Sequence, residues 1–145
     1  VASRRNLDLV HGGRDVLHQC NVSSLPFPDC MIGLVTAVDT HYFWPDLASD
    51  LEEIMRVLKP GETLAIIGGS YKCGKREDKD RKWIECGDMV WPGVEELKDL
   101  LLNAGYAQVR VLEEYEENWI YAIGKNLLPP DTHTIHPCLI TSHAI

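Results

Sequence analysis

Apolar positions along the chain fall into two periods. Leu47, Leu51, Ile54, Met55 and Leu58 recur at the i, i+4, i+7, i+8, i+11 spacing of one helical face. Asp46 is placed to cap that helix, and Lys59-Pro60-Gly61 to stop it. A second helix begins at Trp91-Pro92, with proline in its first turn, and carries Val94, Leu97, Leu100 and Leu101 to a stop at Ala104-Gly105. Residues 32–38 and 63–68 are continuous apolar runs, the pattern of strands covered on both faces. The apolar-rich stretch 15–22 predicts an earlier strand. Residues 107–112 and 118–124 predict two closing strands around the acidic run Glu113-Glu114-Tyr115-Glu116-Glu117.

Between these elements, Ser23-Ser24-Leu25-Pro26-Phe27-Pro28-Asp29 contains two prolines that forbid a regular element. Residues 70–91 are polar and irregular. Within them, Lys75 to Lys82 are charges of alternating sign that nearly cancel, as in a solvated loop. From Asn126 onward there is no clean period, so the chain divides into a domain at 1–125 and an irregular or disordered tail at 126–145. No internal repeat is visible. Strand, helix, strand, helix and a terminal strand pair predict an α/β fold with a largely parallel sheet. Ligands of such sheets bind beyond the carboxyl ends of the strands, here after Val22, Val38 and Gly69.

Composition narrows the function. The 145 residues suit one domain, and a net charge of −8 excludes broad binding to nucleic acid or anionic lipid. No apolar run approaches the ~20 residues of a membrane-spanning helix. The five cysteines show no disulfide-framework spacing, and the start Val1-Ala2-Ser3-Arg4-Arg5 leads into no apolar leader. Reduced thiols and a cytoplasmic location are therefore expected. His133, His136, Cys138 and His143 are metal-ligand types in no recognised spacing, so no metal is expected.

Ser24-Leu25-Pro26-Phe27-Pro28-Asp29, Leu34-Val35-Thr36-Ala37 and Arg56-Val57-Leu58-Lys59-Pro60-Gly61-Glu62-Thr63-Leu64 together resemble the class I S-adenosylmethionine-dependent methyltransferases, in their small-molecule subgroup. The resemblance runs over residues 15–125 and includes Asn103-Ala104-Gly105-Tyr106. It implies a three-layer, Rossmann-like, mostly parallel sheet. It also implies that Asn21 and Val22 face the adenine ring of S-adenosylmethionine and that Thr36, Ala37 and Val38 pass beside its methionine portion. Asp39-Thr40-His41-Tyr42-Phe43-Trp44-Pro45, and within it His41, Tyr42 and Trp44, fall where the family lines the acceptor pocket, with packing of the loop against the sheet as the rival reading.

The departures are informative. Gly33 stands where the family usually has an acidic residue, and Glu62 replaces a glycine. The glycine-rich turn after the family's first strand and the acidic residue that binds ribose are both absent. The sequence thus reads as the C-terminal part of such an enzyme. The implied activity is methyl transfer to a small molecule, with weak cofactor binding by this part alone. The missing strands leave an unpaired edge on the strand at 32–38, which predicts a homodimer. The alternative is a non-catalytic remnant serving as an oligomerisation or interaction module. A nicotinamide-dependent oxidoreductase would need a glycine fingerprint that the chain lacks.

Overall fold

Asp46 opens the first helix. Its carboxylate accepts from the Ala48 N–H at 3.2 Å and the Ser49 N–H at 3.4 Å, satisfying donors that the first turn leaves without partners. In the computed structural model, which describes residues 11–13, 16–72, 74, 81 and 89–127, this helix is α1, Leu47–Val57. It follows β1, Ile32–Val38, and a single 3-10 turn, His41–Phe43. The chain then enters β2, Leu58–Gly68, directly from the helix end. The second predicted helix is α2, Val94–Asn103, and the closing strands are β3, Ala107–Glu114, and β4, Trp119–Lys125.

The strands form one sheet in the order β1-β2-β4-β3. The β1–β2 pair is parallel, with Val35 opposite Leu64 and Val38 opposite Ile67, while β4 pairs antiparallel with both β2 and β3. β1, β2 and β3 therefore run one way, and β4 is the reversed strand between them. The short turn between β3 and β4, with Asn118 at φ 61°, leaves β4 no other direction. The sheet is mixed where a largely parallel one was expected.

The stretch at 15–22 is not a strand. Residues 16–20 are exposed and unpaired, and Asn21 meets Ser24 only in an isolated bridge. An extended segment becomes a strand only beside a ladder partner, and none lies next to it among the described residues.

Both helices pack on one face of the sheet. Leu51, Ile54, Leu97 and Leu101 meet Ala37, Leu64, Ile66, Ile120 and Ala122 in a continuous core. The buried Tyr106 hydroxyl ties β3's entry to α1 by donating to the Leu51 carbonyl at 3.0 Å. On the opposite face, the register lines up Val38, Ile67, Tyr121 and Leu112 in one row. There Leu34 is 59% and Leu112 64% exposed, and no described helix covers them. The third layer implied by the resemblance is not among the described residues.

Cys20 is an exposed free thiol, whereas Cys30 is disulfide-bonded, so the expectation of reduced thiols fails at Cys30. The other three cysteines, the run at 75–82 apart from Arg81, and the tail from 128 with its histidines lie outside the described residues. No described helix is long and apolar enough to cross a membrane, and no described cluster of ligand-type side chains would hold a metal.

Candidate functional site

Two chain turns meet beyond the carboxyl ends of β1 and β2. Asp39, the first residue after β1, sits at φ 51° in the left-handed region. Its N–H donates to the Ile67 carbonyl at 2.8 Å, and its Oδ1 accepts from the Gly69 N–H at 2.7 Å. A carboxylate is thereby fixed at the mouth of the parallel pair. Just beyond, the Asn118 side-chain amide donates to the Gly69 carbonyl at 2.6 Å, and the Trp91 indole donates to Ser70 Oγ at 3.1 Å.

Gly68 explains how closely the 3-10 turn approaches β2. A Cβ there would fall on the Tyr42 hydroxyl and lie 2.8 Å from His41 Cε1. His41 is 1% exposed, and its Nδ1 has no hydrogen-bond partner. Burial holds its pKa down to about 4, with the Asp39 charge acting weakly in the other direction. At neutral pH the imidazole is uncharged.

Beside Asp39 opens a cleft of about 700 Å³. Cys20, Asn21 and Val22 form one wall, and Asp39, Thr40, Phe43, Trp44 and Pro45 form the other. Asp39 is the one carboxylate among them, so the cleft complements a cationic group. Asn21 and Val22, the residues that the resemblance assigns to the nucleobase, line this cleft. The Asn21 side-chain oxygen already accepts from the Ser23 N–H at 3.1 Å and the Ser23 hydroxyl at 3.2 Å, so an incoming amine competes for it.

Of the eight residues singled out from the sequence, the cleft brings together Asn21, Val22 and Trp44. Thr36, Ala37 and Val38 do not line it. Ala37 packs into the helix-covered core, while Thr36 and Val38 project from the bare face, and the backbone they carry leads into Asp39. His41 and Tyr42 are buried under the turn. Asp39, Thr40, Phe43 and Pro45 belong to the segment 39–45 that the resemblance assigns to the acceptor pocket, and they also line the cleft, whereas Cys20 was not singled out. Asp39 had a readable signal, being the first polar residue after an apolar strand in an α/β pattern.

Residues 2–66 match the family model of a methyltransferase domain. Demethylmenaquinone methyltransferase of Listeria welshimeri is 28% identical over 77% of this chain and 53% of its own length. The chain thus spans about half the length of the curated relatives it matches. Phosphoethanolamine N-methyltransferase 2 of Haemonchus contortus, solved with S-adenosyl-L-methionine, superposes with a TM-score of 0.69 at 13% identity, over 84% of this chain and 40% of that one. A possible histamine N-methyltransferase of Thermotoga maritima gives 0.64 at 19% identity, over 86% and 70%. The fold is that of the class I S-adenosylmethionine-dependent methyltransferases, and the resemblance carried by the two proline-containing motifs holds.

Proposed function

We propose that this chain carries the nucleobase-facing part of an S-adenosylmethionine-dependent methyltransferase acting on a small molecule. The observation that supports this best is the cleft beyond β1 and β2, walled by Asn21 and Val22 on one side and by Asp39 to Pro45 on the other. The described residues fit one end of the cofactor. In this reading the Val22 N–H and the Asn21 side chain meet the adenine edge, and Thr36 to Val38 deliver the backbone that turns into the cleft. No described residue supplies the glycine-rich cradle for the amino-acid end or a carboxylate for the ribose hydroxyls. When bound, S-adenosylmethionine supplies an electrophilic methyl group on a sulfonium sulfur.

What the chain's own residues contribute is shape, exclusion of water and charge. Asp39, held by the Gly69 N–H, favours a cation in the cleft, and Trp44 with Pro45 closes its apolar side. His41 and Tyr42 act from beneath, fixing the turn that presents Thr40 and Phe43. The likeness to demethylmenaquinone methyltransferases supports a small-molecule acceptor.

Titration calorimetry with S-adenosylhomocysteine and with adenosine tests this reading. Weak binding of both, with little gain from the amino-acid half, is expected, since polar groups buried without partners cost about 1–3 kcal/mol each. Tight stoichiometric binding of S-adenosylhomocysteine would overturn the partial-site reading, and no binding of adenosine would favour the alternative, a non-catalytic oligomerisation or interaction module. That alternative draws on the bare sheet face and on the β1 edge, which has no neighbour among the described residues. We extend the proposal to a homodimer formed through that edge.

A further inference from the structure

The wall carrying Asn21 and Val22 belongs to no sheet, yet its position decides what the cleft can bind. We propose that Arg56 is the positioning residue for this wall, a clamp that substitutes side-chain bonds for the missing ladder. The inference rests on the reading of Asn21 and Val22 as a nucleobase contact.

Arg56 lies in the last turn of α1 and reaches back across 25–29. Its Nη1 donates to the Phe27 carbonyl at 3.0 Å and to Asp29 Oδ1 at 2.6 Å, and its Nη2 donates to the Leu25 carbonyl at 3.3 Å. Glu53, one turn earlier, holds the guanidinium by two bonds of 2.8 Å, from Nε to Oε2 and from Nη2 to Oε1. The same Oε1 accepts from the Leu25 N–H at 2.8 Å. The backbone completes the suture, with Cys30 N–H donating to the Arg56 carbonyl and Met31 N–H to the Val57 carbonyl, each at 2.9 Å.

Apart from the two Arg56–Glu53 bonds within the helix, every bond in this set joins α1's end to 25–31, and Ser24 N–H then links that loop to the Asn21 carbonyl at 3.1 Å. Upstream, 16–20 is exposed and has no ladder partner among the described residues, the His18 ring meeting Phe27 edge-on at 5.1 Å. The wall is therefore suspended from the helix at its downstream end. Only a planar fork can serve two carboxylates and two carbonyls at once, so lysine is not an equivalent. Half-buried ion pairs of this kind contribute modestly to global stability, which points to placement as the role.

The test uses the full chain and compares Arg56→Lys, Arg56→Met and Glu53→Gln with Lys98→Met, which removes only an exposed pair on α2 at 3.5 Å. Amide exchange by NMR reads the loop, and adenosine titration followed at the Val22 N–H reads the wall. In the two Arg56 variants, exchange at Leu25 and Cys30 is expected to rise about tenfold, with Ile66 and Ala122 unchanged. The adenosine concentration needed for half the Val22 shift is expected to rise about fivefold. Glu53→Gln should fall between, and Lys98→Met should change neither. Exchange that is unchanged, or that rises in step at Ile66 and Ala122, would overturn the clamp, as would loosened amides with unaltered adenosine binding. If wild-type Val22 does not respond to adenosine, the cofactor reading fails, and the exchange pattern alone then decides whether Arg56 places the wall.

Discussion

The Tyr42 hydroxyl donates to the Ser70 carbonyl at 2.8 Å and accepts from the Ser70 N–H at 3.0 Å, so one side chain from the 3-10 turn occupies both backbone groups of the residue beyond β2. Tyr42→Phe removes both bonds while keeping the ring. A loss of about 1–3 kcal/mol in urea-unfolding stability is expected, the range for partly buried polar groups that lose partners. Because Tyr42 is buried beneath the cleft, adenosine affinity should change less than stability does. A variant of normal stability with lost ligand binding would move Tyr42 from packing to contact.

Two glycines of the sheet should respond in opposite ways. A Cβ on Gly124 would lie 2.9 Å from Tyr106 Cβ and 3.0 Å from its Cδ1. That ring cannot yield, since Tyr106 is buried and tied to Leu51 by its hydroxyl. Gly124→Ala should therefore cost about 1–3 kcal/mol through overpacking. A Cβ on Gly33 meets nothing within 4 Å, and its φ is not in the left-handed region. Gly33→Ala should be neutral or stabilising by about 0.4–1 kcal/mol, and Gly33→Asp should be tolerated. Thermal or urea midpoints of the three variants check the contrast.

The sequence made elements with strong periods readable and left context-dependent ones obscure. The helical stripe from Leu47 to Leu58 and the cap at Asp46 were legible because both are local, and the structure has them there. Residues 15–22 have the composition of a strand but no partner, and pairing is not written in a segment's own residues. The reversal of β4 follows from the short β3–β4 turn, but its insertion between β2 and β3 is equally non-local. At the cleft, Asn21, Val22 and Trp44 were reached through the resemblance. Asp39 was reached only as part of the segment 39–45, because its role as a fixed carboxylate arises from a bond to Gly69, thirty residues away. The two motifs that carried the resemblance prove to be bonded to each other, through Arg56 and the loop it grips.

The bare face and the β1 edge make a prediction about association. Leu34 and Val38 project from β1 into solvent beside an edge with no described neighbour, and exposed apolar edges recruit partners. Sedimentation at micromolar concentration should show a dimer, and Leu34→Lys together with Val38→Lys should shift it to monomer without unfolding it. A wild-type monomer under those conditions would sink the dimer proposal.

Stability should fall between pH 6.5 and 4 because of His41. Burial depresses its folded pKa to about 4 from 6.5, with Asp39 opposing. Within that window the unfolded chain takes up the proton and the folded chain does not, so each step down in pH favours unfolding. The shift corresponds to a loss approaching about 3 kcal/mol by pH 4, the fully neutral imidazole being retained above 6.5. Glu53 adds a slope of the same sign at lower pH. Its pKa is held below the usual 4.5 by the Arg56 hydrogen bond first and by the Leu25 N–H to a smaller extent, so its contribution is present above that value and is lost only as pH falls beneath it. The two windows separate the residues. His41→Gln should flatten urea midpoints between pH 6.5 and about 5 while leaving the steeper fall below 4.5, and Glu53→Gln should do the reverse. Equal slopes above pH 5 in wild type and His41→Gln would show that the imidazole titrates alike in the folded and unfolded chains, and that burial does not hold its pKa down.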